Sequence, residues 1–180
     1  MNKEFLEIEV DNFDKLCHKA KEIILDGLIN QNDKLIKFIK KVGILDWSHD
    51  SPIEQILFFS LIIVGNNEYN FGIQVRLQKE IEYNGHTYKG DICVENITFN
   101  ENNSVCKLTH SIIIECDGYN YHSSKEQMQY DYNRENNLKL AGYDIIRFTG
   151  SQIYNSPLQC AKTVYDYIKN KISNGEYKEI

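Results

Sequence analysis

The stretch Ile112-Ile113-Ile114-Glu115-Cys116-Asp117-Gly118 decides how this chain is read. Its three isoleucines offer no polar face, the pattern of a strand covered on both sides. Side chains alternate along a strand, so Glu115 and Asp117 point one way and Cys116 the other. Two carboxylates on one side of a buried strand repel each other unless a proton or a cation neutralises them. A divalent metal ion is the economical neutraliser. Cys116, turned away from the acids, reads as core.

Downstream of Gly118, Ser123 or Ser124 caps a helix that reaches Ala141, with Gly142 as its stop. Tyr143 to Phe148 is a short apolar strand. The unit from Lys107 to Phe148 is then strand–helix–strand, and its two strands run parallel. Ser156-Pro157 starts a last helix with Leu158, Ala161, Tyr165 and Ile168 on one face, followed by a polar tail over residues 173–180.

Upstream, residues 71–83 alternate, with Phe71, Ile73, Val75 and Leu77 opposite Gln74, Arg76 and Gln78. Asn84-Gly85 is a two-residue hairpin turn. The return strand, Thr87 to Val94, carries Asp91, and a polar loop covers Glu95 to Ser104. Before the hairpin, Ser51 caps a helix with Pro52 at its first position and Glu54 closing a capping box. That helix is almost wholly apolar and belongs in the core, with Gly65-Asn66-Asn67 as its stop. Residues 11–43 read as two helices. The first, with Phe13, Leu16, Cys17, Ala20, Ile23 and Ile24 on one face, stops at Gly27. The second bears Leu35, Ile36, Phe38 and Ile39 and ends near Gly43. Its Lys34, Lys37 and Lys41 stripe is a solvated helix face or a phosphate contact.

The order is an α/β one: helix, three strands, helix, strand, helix (α-β-β-β-α-β-α), behind an N-terminal helical extension. The divisions are a helical extension over 1–50, a domain over 51–172 and a tail over 173–180. A chain of 180 residues, 42% hydrophobic, suits one such domain with an extension. The net charge of -6 lacks the basic footprint usual for nucleic-acid binding, so such a partner has to be met by local basic residues and a metal ion. Five scattered cysteines form no disulfide framework and suit a reducing cytoplasm. The longest apolar run, Ile56 to Val64, is broken by Ser60 and falls far short of the roughly 20 residues of a membrane span.

Four acids stand out on separate elements: Glu54, Asp91, Glu115 and Asp117. Mg²⁺ takes one or two carboxylates, with water and substrate phosphate completing its shell. Several pieces of sequence fall in order around these acids: Ser51-Pro52-Ile53-Glu54, Gln74-Val75, Lys89-Gly90-Asp91-Ile92, Ile114-Glu115-Cys116-Asp117-Gly118, Tyr121-His122, Tyr130-Asp131 with Arg134, Ala141-Gly142-Tyr143 and Ile146-Arg147-Phe148. Over residues 51–170 this pattern resembles the PD-(D/E)xK nuclease superfamily, and more closely its branch related to very-short-patch-repair endonucleases.

The resemblance implies a restriction-endonuclease-like mixed sheet flanked by helices and a Mg²⁺-dependent DNA endonuclease, with Mn²⁺ as an alternative ion. It implies metal binding by Asp91 and Glu115, an accessory role for Glu54, and acid–base or phosphate contact for His122. Asp117 stands where the superfamily's name has lysine, so it serves as a further metal ligand or a base rather than as a source of positive charge. Gln74, Arg76, Lys125, Arg134 and Arg147 are the expected nucleic-acid contacts. Against these stand plainer roles: Arg134 three residues after Asp131 suits a surface ion pair, and Arg147 suits a partner for a strand-edge carboxylate. An inactive nuclease-fold binding or interaction module and an RNA-directed nuclease are the alternatives. Residues 1–50 remain for a homodimer contact or a partner protein, and no membrane partner is expected.

Overall fold

The computed structural model describes residues 16–30, 51–68, 73–99, 105–118 and 124–174. The expected second helix near Leu35–Gly43 with its lysines, Tyr121 and His122, and the end of the tail lie outside the described residues. In chain order the elements are α1 (His18–Asn30), α2 (Pro52–Glu68), β1 (Ile73–Tyr83), β2 (His86–Phe99), β3 (Val105–Asp117), α3 (Lys125–Leu140), β4 (Tyr143–Thr149), α4 (Gly150–Asn155) and α5 (Pro157–Ser173).

The four strands form one mixed sheet in the order β1-β2-β3-β4. Among the first three each strand is antiparallel to its neighbour, and β3 and β4 run parallel, as a strand–helix–strand unit requires. The expected architecture of helices on both faces of a mixed sheet is the one found. Ile112, Ile113 and Ile114 are at most 1% exposed, and burial of each is worth roughly 1.5–3 kcal/mol. They divide between two cores. Ile112 and Ile114 join Ile92, Val94 and the apolar α1, α2 and α5. Ile113 joins Cys93, Ile81, Tyr88 and Leu138 under α3. Cys116 packs on the first core, away from Glu115 and Asp117, as strand alternation dictates.

Alternation fails within the β1–β2 hairpin. Val75, Leu77, Ile92 and Val94 face the α2 side, whereas Ile81, Tyr83 and Tyr88 face α3. These positions are separated by even steps, so both strands of the hairpin change face between them. The change coincides with Gln78, whose φ is +50°, a conformation that few residues with a Cβ adopt. Opposite it lies Asp91, and neither residue is paired, although their neighbours Leu77↔Ile92 and Lys79↔Gly90 are. The expected uniform alternation through Gln78 is therefore corrected: the hairpin end rolls over onto α3. Asn84 and Gly85, both at positive φ, make its tight turn.

Several boundaries differ from expectation. β2 continues to Phe99, so the segment expected as a loop from Glu95 is partly strand. α1 runs through Gly27 to Asn30, and α2 runs through Gly65 to Glu68. Glycine costs a helix only about 1 kcal/mol, which core packing outweighs. At Gly65 there is also a steric reason: a Cβ would meet the Tyr165 ring, with Cζ at 2.8 Å. The Tyr165 hydroxyl donates to the Leu61 carbonyl at 2.7 Å, tying α5 to α2. Leu158, expected on the buried face of α5, is 49% exposed, while Ala161, Tyr165 and Ile168 are buried. α1 shares the main core, and the Cys17 N–H donates to Gln55 Oε1 on α2 at 2.9 Å.

Gly65→Ala puts a methyl against a fully buried ring and lowers stability by about 1–3 kcal/mol despite alanine's better helix propensity. Urea denaturation monitored by circular dichroism checks this; equal or greater stability contradicts the close approach.

Candidate active site

The site lies where β2 leaves β3. Their pairing runs toward Ile92↔Ile114 and stops there, whereas β3 continues to Asp117 alongside β4. Past that point the backbone N–H of Cys116 has no strand partner on the β2 side. Asp91 supplies one: its Oδ2 accepts from the Cys116 N–H at 2.8 Å. This bond fixes the Asp91 carboxylate beside Glu115.

Glu115 is 7% exposed and faces α3. Arg134, on α3, donates from Nη2 to Glu115 Oε1 at 2.8 Å and also to the Lys89 carbonyl of the rolled hairpin. The default surface pair with Asp131 is thus replaced by a tertiary contact; Asp131 accepts instead from Gln127 at 3.1 Å. Each of Asp91 and Glu115 has one oxygen clamped by an N–H donor. Among the described residues the second oxygen of each has no hydrogen-bond partner.

Burial is the main reason that both carboxyls sit above their ordinary pKa. At Asp91 the Cys116 N–H and Arg134 oppose that rise and the charge of Asp117 adds to it. At Glu115 the Arg134 bond opposes it and the charge of Asp91 adds to it. Two partly buried carboxylates that penalise each other's ionisation, with open oxygens on both, make a donor set suited to a hard divalent cation. The fit is to a pair, not to the expected trio. Among the described residues no three His, Cys, Asp or Glu side chains come together as a metal cluster. Asp117 is drawn toward Arg147, with Oδ1 to Nη1 at 3.4 Å.

The other expected residues fall as follows. Glu54 accepts from the Ser51 hydroxyl at 2.8 Å and from Gln78, so the irregular residue of β1 ties the hairpin to α2. Its charge is felt at Cys116, whose thiol is pushed up first by burial and then by Asp91, Glu54, Glu115 and Asp117. That thiol stays protonated and is no nucleophile. Arg147 sits in register with Glu115 on the neighbouring strand and also approaches Glu135 at 3.6 Å. Gln74 and Arg76 are engaged elsewhere: Arg76 pairs with the buried Glu95 at 2.7 Å and donates to Gln74 at 2.9 Å. Lys79 closes the same Glu95 pair from the other side. Lys125 is exposed at the start of α3, and Ser124 caps that helix by accepting from the Gln127 N–H at 3.2 Å. The role of Gln78 carried no signal in the sequence beyond a place in an alternating strand.

The family model REase_MTES_1575, a restriction-endonuclease-like family, matches residues 69–168. The match spans Asp91, Glu115, Asp117, Arg134 and Arg147, and it does not single out the very-short-patch-repair branch. No curated protein and no solved structure matches the chain. Among the described residues no helix is long and apolar enough to cross a membrane.

A folded-state pKa above the unfolded value means the folded protein holds its proton more tightly. The contribution of these two groups to stability is then greatest below the unfolded pKa of about 4 and is lost as pH rises through the folded value. Asp91→Asn removes the charge and keeps an oxygen to accept from Cys116. In metal-free protein at neutral pH its Tm rises by about 2–4 °C, the shift that ~1 kcal/mol gives a chain of this size, and the gain vanishes below pH ~4. Thermal melts at the two pH values check this; a lower Tm for the variant at neutral pH contradicts it.

Proposed function

The chain belongs to the restriction-endonuclease-like family, and from that premise we propose that it is a metal-dependent nuclease that hydrolyses phosphodiester bonds of DNA at the Asp91–Glu115 edge. The observation that carries this reading is the pairing of two carboxylates, each clamped through one oxygen and open at the other. Asp91 and Glu115 would hold a divalent cation, Mg²⁺ first and Mn²⁺ as the alternative. When bound, such an ion polarises a phosphoryl group and acidifies water.

The chain's own residues supply the rest. The Cys116 N–H and Arg134 fix the two carboxylates before any substrate arrives, so no side-chain reorganisation accompanies its binding. Asp117 cannot supply the positive charge that lysine gives the superfamily at this position. Arg147, one strand over and in register with Glu115, brings a guanidinium to the same edge to meet the charge that develops on the phosphate. Asp117 in turn orients Arg147. DNA is placed first on the resemblance of the ordered motifs to very-short-patch-repair endonucleases, a branch that the family match does not single out.

The rival reading, an inactive binding module on the same fold, is favoured by Asp117 in place of lysine and by the net charge of -6. Cleavage separates the two. With Mg²⁺ the protein cuts DNA, chelation with EDTA stops it, and Asp91→Asn and Glu115→Gln each slow it by at least about 100-fold with the fold intact by circular dichroism. Arg147→Ala slows it by about 10-fold or more, and Arg147→Lys restores part of the rate. Nucleic-acid binding without any divalent-dependent cleavage would establish the rival.

A further inference from the structure

A cleft of about 370 Å³ lies between the rolled end of the β1–β2 hairpin and α3. Arg134 is the one residue it shares with the Asp91–Glu115 site as described above. One wall is aromatic: His86 and Tyr88 of β2, with ring centroids 6.2 Å apart and tilted by 37°. The other wall comes from α3, chiefly Tyr130, Asn133, Arg134 and Asn136. The Tyr88 hydroxyl accepts from Asn137 Nδ2 at 2.6 Å, which holds the two walls at a fixed spacing.

The lining is open for use. Tyr130 is 57% exposed, so its ring is available for stacking. The Asn136 side chain has no hydrogen-bond partner among the described residues. Asn133 engages its Oδ1 with Gln129 at 3.1 Å, leaving its amide N–H₂ to donate. α3 buries only Leu138, so the core does not explain its composition. Arg134 belongs to both places: it lines the cleft and bonds Glu115 at 2.8 Å.

We propose that this cleft seats an unpaired nucleobase of the strand whose phosphodiester lies at Asp91–Glu115; the inference rests on the nuclease reading. Flat aromatic faces take bases of any identity by stacking, and asparagine amides match the donor–acceptor edge of a base. A space of a few hundred cubic ångströms suits a group of that size. Because Arg134 both lines the cleft and bonds Glu115, a base in the cleft and a phosphate at Glu115 would flank the same side chain, as neighbouring parts of one strand can. In an intact duplex the bases are stacked and paired and cannot enter such a cleft without extrusion. The substrate class is therefore single-stranded or locally unpaired DNA.

Fluorescence anisotropy in EDTA, where no cleavage occurs, tests this with a single-stranded oligonucleotide carrying 2-aminopurine and with its duplex. The single strand binds more tightly than the duplex, and 2-aminopurine emission is quenched on binding. Tyr130→Ala weakens single-strand binding by about 5- to 150-fold and removes the quenching, Tyr130→Phe retains both, and Asn136→Ala costs about 2- to 10-fold. Duplex binding does not change with any of these. Unchanged single-strand affinity and quenching in Tyr130→Ala, or tighter binding of the duplex, overturns the proposal. Cleavage by the unmodified protein with Mg²⁺ is scored separately. Its absence tells against the nuclease reading, while Tyr130-dependent quenching still supports the base-binding cleft.

Discussion

Everything at the site depends on the Cys116 N–H and what accepts from it. β3 extends beyond the point where β2 is paired with it, and a buried strand cannot leave its amides unbonded without a cost of about 1–3 kcal/mol each. Asp91 meets that demand with a side-chain oxygen. The bond lets β2 depart and holds a carboxylate in the fork it leaves. The inversion at Gln78 belongs to the same event, because both hairpin strands change face there and the tip folds onto α3. Backbone strain at Gln78 is thus coupled to the site, tied down by the contact of Gln78 with Glu54.

The fork also sets the electrostatics. Asp91 arrives beside Glu115 because the strands part, and burial of both raises the energetic cost of their shared negative charge. Arg134 offsets part of it by bridging Glu115 to the Lys89 carbonyl. Two guanidiniums, Arg134 and Arg147, against the three carboxylates Asp91, Glu115 and Asp117 leave an excess of negative charge. On the proposed metal-dependent reading, the pair is preorganised toward a cation at some expense in the stability of the metal-free protein, a familiar trade at functional sites.

Much of this was legible in the sequence where local rules act alone. The three isoleucines declared a strand buried on both faces, Asn84-Gly85 a tight turn, and Ser156-Pro157 a helix start. Tertiary forces decided the rest. Gly27 and Gly65 read as stops, because glycine is a poor helix former, yet the core carries both helices past them. α4 went unread although Thr149 and Gln152 form a capping box, since a six-residue helix has too few turns to show a period. At the site, Asp91 and Glu115 were identifiable from ordered motifs. The link from Arg134 to Glu115 was not, because a neighbouring Asp131 offered a simpler local partner. Nothing in a regular alternating strand foretold that Gln78 would turn over.

If the Asp91–Glu115 pair seats a divalent cation, the ion can be seen there. Crystals grown with Mn²⁺ test this most directly, through anomalous scattering at the manganese edge. One strong peak is expected within bonding distance, about 2.0–2.4 Å, of carboxylate oxygens from both Asp91 and Glu115. A fully loaded crystal with no peak between those two side chains, or with its manganese bound elsewhere on the molecule, would contradict the proposed seat.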